Sequence, residues 1–187
     1  RLWQRSAADP GRVSVNLSLK QLRQPNFTKR IGAIMRGHEI SPTSLELEIT
    51  ETTLMEDTKR TIKLLDQLYA LGLHLAIDDF GTGYSSLSAL QQFPISTLKI
   101  DKSFVRDVAT NPDDATIVGT IVQMGRNLNM DVVAEGVENE HQLNLLQRLE
   151  CTYVQGLLFG DPMSAENYLE LLLAQADGTD SYRALFA

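Results

Sequence analysis

The sequence predicts an α/β fold built as an incomplete (β/α) barrel with about six strands. Short apolar runs rich in β-branched residues alternate with stretches whose apolar residues recur at helical spacing, which is typical of parallel strands joined by helices. In addition, each apolar run carries a conspicuous polar residue at or near its C-terminal end. In a barrel of parallel strands these ends meet at one face.

Six segments are predicted as strands. In chain order they are RVSVNLS, LELEIT, LHLAIDD, TLKIDKSF, DVVAEGV and YVQGLLF. An open doubly wound sheet would more often have a glycine-rich turn after its first strand, and none follows VSVNLS. Because a TIM-like barrel closes with eight strands, we expect this barrel to be incomplete.

Three helices between these strands are predicted from the spacing of their apolar residues. Gly72 is placed to end the first helix, and Asn139 precedes the third. The apolar positions are Ile62, Leu65, Leu68, Tyr69 and Leu71 in the first helix, Ile117, Ile121, Met124 and Leu128 in the second, and Leu143, Leu146 and Leu149 in the third. The pattern loosens over residues 175–187, so residues 1–187 are predicted to be one domain with a loosely patterned C-terminal end.

Composition and charge argue against several kinds of partner. The net charge of -7 disfavours a DNA or RNA polymer, which would require a basic stripe. No apolar run reaches the roughly 18 residues of a membrane-spanning helix, so no direct membrane contact is expected from this segment. The lone Cys151 cannot form an internal disulfide, which favours a reducing compartment and predicts a cytoplasmic location.

An acidic, oxygen-rich set of residues is predicted where the strand ends converge. The carboxylates of Glu48, Asp78, Asp79 and Glu135 are joined by the amide oxygen of Asn16. Such ligands suit Mg²⁺ or Mn²⁺, whereas zinc is disfavoured because none of these positions is Cys or His. Two adjacent aspartates can serve two ions about 3.5–4 Å apart, an arrangement that assists in-line cleavage of a phosphodiester. The set therefore indicates a two-metal site.

Lys99, in the segment LKID, places a cation among these acids. Its ammonium could hold a nucleophilic water or contact a phosphate oxygen. Glu135 could act as a base on that water or as a further metal ligand. The loop FGTGYSSL contains Gly81, Gly83 and short hydroxyl side chains, as is typical of a mobile rim over a site.

Each of these residues also has a purely structural interpretation. The alternatives are an edge or turn role for Asn16, a helix start for Glu48 and Glu51, turn chemistry for Asp78 and Asp79, an ion pair between Lys99 and Asp101, solvent exposure for Glu135 and a strand cap for Gln155. Six polar strand ends in consecutive units favour a shared site over independent coincidences.

Six motifs carry a family resemblance. They are VSVNLS, LELEITET, AIDDFGTGYSSL, LKIDKSFV, VVAEGVE and QGLLFGDPM, in this order. Over about residues 12–163 the sequence resembles the EAL-domain family of cyclic di-GMP phosphodiesterases, and DDFGTGYSSL with AEGVE is highly specific. The resemblance implies a TIM-like barrel that hydrolyses cyclic di-GMP to linear pGpG using two Mg²⁺ or Mn²⁺ ions.

The resemblance also implies a role for each matching residue. Asn16, Glu48, Asp78 and Asp79 would be metal ligands, Lys99 would hold the catalytic water, Glu135 would bind metal or act as base, Glu51 would support the DDFGTGYSSL loop, and Gln155 would complete the surroundings of water and substrate.

The sequence departs from the family pattern in two places. It contains no Glu-Ala-Leu segment, whose glutamate is a metal ligand in the family, and RLWQRSAADPGR resembles the end of a helix that follows that segment. The resemblance therefore implies an EAL-type domain that is incomplete at its N-terminal end and lacks its first strand or strands. We expect the chain by itself to be weakly active or inactive. Asp161 stands where the family usually has Lys or Arg, which should weaken attraction to phosphate.

Two functions from different classes follow from these observations. The first is a cyclic di-GMP phosphodiesterase domain. The alternative is a module that senses cyclic di-GMP or binds a partner protein without catalysis. In either case we expect other signalling modules in the parent chain, and a possible homodimer through the loop after Asp79.

Overall fold

Six parallel strands form one sheet, in the order in which they occur along the chain. The computed structural model describes residues 11–56, 58–83 and 87–176 of the 187-residue chain. The strands are β1 (Val13–Asn16), β2 (Leu45–Thr50), β3 (His74–Phe80), β4 (Thr97–Ile100), β5 (Asp131–Glu135) and β6 (Tyr153–Gln155). The sheet curls into a half-barrel, which confirms the predicted fold class and the approximate number of strands.

Helices lie between successive strands, and one more follows the last strand. They are α1 (Leu19–Leu22), α2 (Phe27–Gly37), α3 (Glu51–Met55), α4 (Thr58–Tyr69), α5 (Leu87–Leu90), α6 (Lys102–Arg106), α7 (Pro112–Asn127), α8 (Glu140–Arg148) and α9 (Ala165–Ala176). The three helices predicted from apolar spacing correspond to α4, α7 and α8. Within the described ranges, none of these helices combines the length and the apolar character needed to cross a membrane.

The two faces of the sheet differ in chemistry because successive side chains of a strand point to opposite sides. The helix-facing side chains are apolar and form one core with the helices, as with Ile49, Ile77 and Ile100, each 0% exposed. The concave face instead carries charged and polar side chains from alternate positions, including Glu48, Asp78 and Lys99. The core therefore lies between sheet and helices, and the concave face is available for chemistry.

The helix ends show why the chain changes direction where it does. Asn139 caps α8 by accepting a hydrogen bond from the backbone of Gln142, whose side chain reaches back to the cap, completing a capping box. Gly72 follows α4 with a φ of 87°, a left-handed conformation that favours glycine. The predicted ends of these two helices are thereby confirmed.

Four of the observed strands, β1, β4, β5 and β6, are shorter than predicted, and the difference is largest in β4 and β6. TLKIDKSF was predicted to be one strand, but β4 ends at Ile100 because Asp101 caps α6 by accepting from the backbone of Ser103 at 2.9 Å. YVQGLLF was likewise predicted to be one strand, but β6 ends at Gln155. Residues 1–10, Tyr84–Ser86 of the predicted rim loop and residues 177–187 of the predicted loose end lie outside the described residues.

Candidate active site

The centre of the site is Lys99 on β4, whose side chain is buried on the concave face. Its Nζ lies 2.6 Å from Oε1 of Glu48, 2.5 Å from Oε1 of Glu135 and 3.6 Å from Oδ1 of Asp78. One ammonium therefore faces three carboxylates that come from three other strands. We refer to these four residues, Lys99, Glu48, Asp78 and Glu135, as the Lys99 cluster.

The strand register explains why these side chains meet. Glu48 lies opposite Ala76 and Thr50 lies opposite Asp78, so the acids of β2 and β3 share one end of the sheet. Lys99 lies opposite Val133, two residues before Glu135, on the other side of β3. Because all strand pairs are parallel, the polar ends converge as predicted. Lys99 reaches Glu48 across β3, and the alternative ion pair with Asp101 is not the one that forms.

A second, partly overlapping group has the composition of a cation site. Asp78, Asp79 and Glu135 each offer a carboxylate oxygen within 4.8 Å of the others, as the described part of the chain shows. Oδ1 of Asp78 is buried and has no hydrogen-bond partner among the described residues. A buried carboxylate oxygen without a donor is costly, and a hard divalent cation would satisfy it. The donor set therefore fits a hard divalent cation, the class of ion to which the predicted Mg²⁺ and Mn²⁺ belong.

Electrostatic effects in the site reflect burial among like charges. Burial raises the pKa of Asp79, and the neighbouring Asp78 and Asp101 raise it further. Burial also raises the pKa of Glu135, against the opposing effect of Lys99. Burial by itself would lower the pKa of Lys99, but hydrogen bonds and charges from Glu135 and Glu48 raise it overall, so the lysine remains a cation.

The loop after β3 is tied to the start of α3 by Glu51. Its carboxylate is buried, at 2% exposure, and Oε2 accepts hydrogen bonds from the backbone N–H of Gly81 at 2.9 Å and of Gly83 at 3.2 Å. Space also constrains this loop, because a Cβ on Gly83 would lie 2.8 Å from Oε1 of Glu51. Asp79, the residue before the last of β3, has a φ of 53° and lies where the register between β3 and β4 shifts, between Ile77 and Phe80.

Asn16 and Gln155 lie at the two edges of this arrangement. Asn16 is the last residue of β1 and lies opposite Glu48, whereas Gln155 is the last residue of β6 and lies opposite Glu135. Both are exposed, and neither belongs to the Lys99 cluster. The structure thus brings Glu48, Asp78 and Glu135 into direct contact with Lys99, and places the two amides beside two of these acids.

Sequence reasoning missed a buried carboxylate one layer below the site. Glu46 precedes Glu48 by two residues and therefore shares its face of β2. It is 6% exposed and accepts a hydrogen bond from Thr97 at 2.8 Å. The alternation of two glutamates in LELEI was the available signal, because it places both on the same side of a strand.

The comparisons with known proteins agree with this geometry. Residues 1–162 match the family model of the EAL domain. The chain belongs to the EAL domain family. It is 44% identical over 169 residues to the bifunctional diguanylate cyclase/cyclic di-GMP phosphodiesterase MucR of Pseudomonas aeruginosa, a match that covers 90% of this chain and 25% of that protein. The EAL domain described here thus spans about a quarter of the length of that relative.

Two solved structures extend the comparison to the fold of the EAL domain. The MucR phosphodiesterase in complex with c-di-GMP superposes with a TM-score of 0.81 at 46% identity, covering 83% of this chain and 63% of that chain. A manganese and c-di-GMP complex of BlrP1 from Klebsiella pneumoniae superposes with a TM-score of 0.76 at 32% identity, covering 81% of this chain and 39% of that chain. These similarities support the TIM-like fold.

Proposed function

We propose that this EAL domain is a phosphodiesterase that hydrolyses cyclic di-GMP to linear pGpG by in-line attack of water. The observation that carries the proposal is the Lys99 cluster, in which three carboxylates converge on one cation at the carboxyl ends of parallel strands. Asp79 brings the number of carboxylates to four, against the single lysine. A site with such an excess of negative charge is suited to bind cations that in turn bind a phosphodiester.

The residues proposed to hold two Mg²⁺ or Mn²⁺ ions are Asn16, Glu48, Asp78 and Asp79. Their oxygens are the ligand type that these ions prefer. When bound, such ions supply positive charge that stabilises the attacking and leaving oxygens of the phosphodiester. The Oδ1 of Asp78, which is buried and accepts no hydrogen bond among the described residues, supports this assignment, as does the existence of a manganese complex of a related EAL protein.

Lys99 and Glu135 are proposed to act on the attacking water. The Lys99 ammonium stays protonated, because Glu135 and Glu48 raise its pKa, and can donate hydrogen bonds to a water or to a phosphate oxygen. Glu135 has a raised pKa because of burial, which makes its carboxylate a better proton acceptor than an exposed glutamate. The 2.5 Å contact between the two side chains fixes the orientation of that carboxylate.

Glu51 and Gln155 are proposed to support the site from its periphery. Glu51 would hold the loop after β3 through the backbone of Gly81 and Gly83, and so keep Asp78 and Asp79 in place. Gln155, exposed beside Glu135, would contact the water or the substrate through its amide. We also propose that cyclic di-GMP is the small-molecule partner, since related EAL proteins are known in complex with it.

Neighbouring modules, a homodimer contact and a cellular location are also proposed for this domain. The relative MucR carries two activities in a longer chain, so further signalling modules are proposed for the parent of this EAL domain. A homodimer contact is proposed for the loop after Asp79. A cytoplasmic location is proposed because Cys151 is a free, half-buried thiol whose pKa burial raises to about 11, as suits a structural cysteine in a reducing compartment.

Turnover of cyclic di-GMP by the wild-type chain and by Asp78→Asn tests the proposal. Because the chain by itself is expected to be weakly active or inactive, both proteins are made in a chain extended to include a Glu-Ala-Leu segment. Each is incubated with cyclic di-GMP and Mn²⁺ or Mg²⁺, and pGpG is followed by chromatography. Asp78→Asn is expected to lower turnover by about 100-fold or more while the fold is kept, since the amide carries no charge for the cation. Asp66→Asn, on the exposed side of α4, is the matched control and should turn over as wild type does.

The possible outcomes separate the two functions. Near-normal turnover by Asp78→Asn in Mn²⁺ would contradict the metal role of this residue. Binding of cyclic di-GMP by the wild type without formation of pGpG would instead support the alternative function, a sensing module.

A further inference from the structure

Glu46 connects three strands through one buried carboxylate. Its Oε2 accepts hydrogen bonds from Nη1 of Arg12 at 2.9 Å and from Oγ1 of Thr97 at 2.8 Å, and its Oε1 accepts from Oγ of Ser14 at 3.1 Å. Ser14 lies on β1, Glu46 on β2 and Thr97 on β4. We call Arg12, Ser14, Glu46 and Thr97 the Glu46 network.

The Glu46 network lies one step below the candidate active site on the same face of the sheet. Two residues along a strand advance the chain by about 7 Å and return to the same face. Each strand in the network carries a proposed site residue at this spacing. The pairs are Ser14 with Asn16, Glu46 with Glu48, and Thr97 with Lys99.

A small residue on β3 makes the central contact possible. Ala76 lies opposite Glu48 on one side and opposite Thr97 on the other, and it is completely buried. Because its side chain is a single methyl group, the Glu46 carboxylate can reach Thr97 across β3. The ion pair between Glu48 and Lys99 crosses the same strand one layer higher. Two polar contacts across β3 therefore join the same two strands, β2 and β4.

We propose that Glu46 and Thr97 are positioning residues that set the spacing of Asn16, Glu48 and Lys99. The carboxylate of Glu46 is already satisfied by one cation and two hydroxyl groups, so it is not a further metal ligand. Its effect is to fix the distances of β1 and β4 from β2, directly below the layer that contains Asn16, Glu48 and Lys99. The catalytic consequence rests on the proposed phosphodiesterase activity, whereas the effect on cation affinity rests only on the proposed metal ligands.

Residues that orient metal ligands without binding the metal are known to matter for metal affinity. The Glu46 network would act in this way through the strands that carry Asn16, Glu48 and Lys99. If β2 and β4 shift relative to each other, Glu48 loses its 2.6 Å contact with Lys99, and the carboxylate turns away from its neighbours. A misplacement of this kind alters cation binding and the rate of the chemical step. It has less effect on substrate binding, which also involves parts of the substrate far from the reacting phosphate. This pattern distinguishes positioning from a general loss of stability.

Thr97→Val tests the proposal, because valine keeps the shape of the side chain and removes only the hydroxyl group. The dissociation constant for Mn²⁺ is measured by electron paramagnetic resonance of free Mn²⁺, which needs no turnover. We expect this constant to rise about tenfold, and kcat for cyclic di-GMP to fall about tenfold with KM little changed. Thr97→Ser should restore Mn²⁺ affinity, since the hydroxyl group returns.

Thr61→Val is the matched control, because Thr61 is a buried threonine on α4 away from the concave face. It should leave Mn²⁺ affinity as in the wild type. Unchanged affinity in folded Thr97→Val, an equal loss in Thr61→Val, or failure of Thr97→Ser to restore binding would each overturn the proposal.

If Thr97→Val does not fold, Ser14→Ala is measured in the same way. It removes only the 3.1 Å bond from the exposed side chain on β1, and unchanged Mn²⁺ affinity would again overturn the proposal. A wild-type chain, extended to include a Glu-Ala-Leu segment, that binds Mn²⁺ but forms no pGpG would contradict the proposed function and leave this test intact.

Discussion

The Glu46 network and the Lys99 cluster occupy neighbouring layers of one face of the sheet, yet their charges are balanced differently. In the Glu46 network one carboxylate meets one guanidinium and two hydroxyl groups. In the Lys99 cluster three carboxylates share one ammonium, and Oδ1 of Asp78 has no hydrogen-bond partner within the described ranges. A buried polar group that is fully satisfied indicates a structural role, whereas unbalanced charge indicates a place for a ligand.

The largest effect is expected for Lys99→Met. A small effect would contradict the conclusion that the Lys99 cluster carries an excess of negative charge. Without the ammonium, the buried carboxylates of Glu48 and Glu135 have lost their counter-charge, so the metal-free protein should lose about 3–5 kcal/mol of unfolding free energy. Turnover of cyclic di-GMP should fall about 100-fold or more. Urea denaturation with a chelator present and chromatography of pGpG measure the two effects.

The response to Mn²⁺ identifies the cause of that loss. Cations bound among the acids would replace part of the missing charge, so the stability deficit of Lys99→Met relative to wild type should shrink when Mn²⁺ is added. A deficit that stays constant with and without Mn²⁺ would show that the carboxylates do not hold the ion, and the contrast between the two layers would then be wrong.

Glu46→Gln should have a smaller effect with the opposite response to metal. The amide keeps the shape of the side chain but weakens the bond to Arg12 and gives Thr97 a poorer acceptor, at a cost of about 1–3 kcal/mol. Because the Glu46 network needs no cation, adding Mn²⁺ should not reduce this deficit. Urea denaturation of both proteins with and without Mn²⁺ checks this prediction, and a deficit that Mn²⁺ removes would contradict it.

The fold was predictable because its signals are local. Each of the six predicted strands overlaps an observed one, since runs such as LELEIT and DVVAEGV combine β-branched residues with burial on one side at least. The ends of strands were harder to place. Asp101 ends β4 by capping α6, and an aspartate within an apolar run can be read as either strand or cap.

The site was only partly predictable because its contacts cross strands that are distant in sequence. Polar strand ends identified Glu48, Asp78, Lys99 and Glu135, since parallel pairing alone brings such ends together. The partner of Lys99 could not be chosen from sequence, and Asp101 was an open alternative until the register was known. Glu46 escaped notice because its partner Thr97 lies 51 residues away and meets it only across β3.

The smallest predicted effect is the pH dependence of stability. Its sign reports whether Glu135 of the Lys99 cluster titrates as a buried acid. Without metal, the pKa of Glu135 in the folded protein is raised above the usual 4.5 because of burial. At pH values between the usual and the raised pKa, the folded state therefore binds more protons than the unfolded state. The contribution of Glu135 to stability is present at lower pH and is lost as the pH rises through the raised pKa. Glu135→Gln removes this contribution.

Unfolding free energies of wild type and Glu135→Gln, measured in urea with a chelator between about pH 4 and about pH 7, isolate the effect. The variant should gain stability relative to the wild type as pH rises. With Mn²⁺ in place of the chelator the sign should reverse, because cations held by the neighbouring carboxylates favour the deprotonated form of Glu135 and so favour high pH. If the unfolding free energies of the two proteins change equally with pH in the chelator, the Lys99 cluster does not contain a buried titrating acid. If the difference between them keeps the same sign of pH dependence in Mn²⁺, Glu135 does not lie beside a cation.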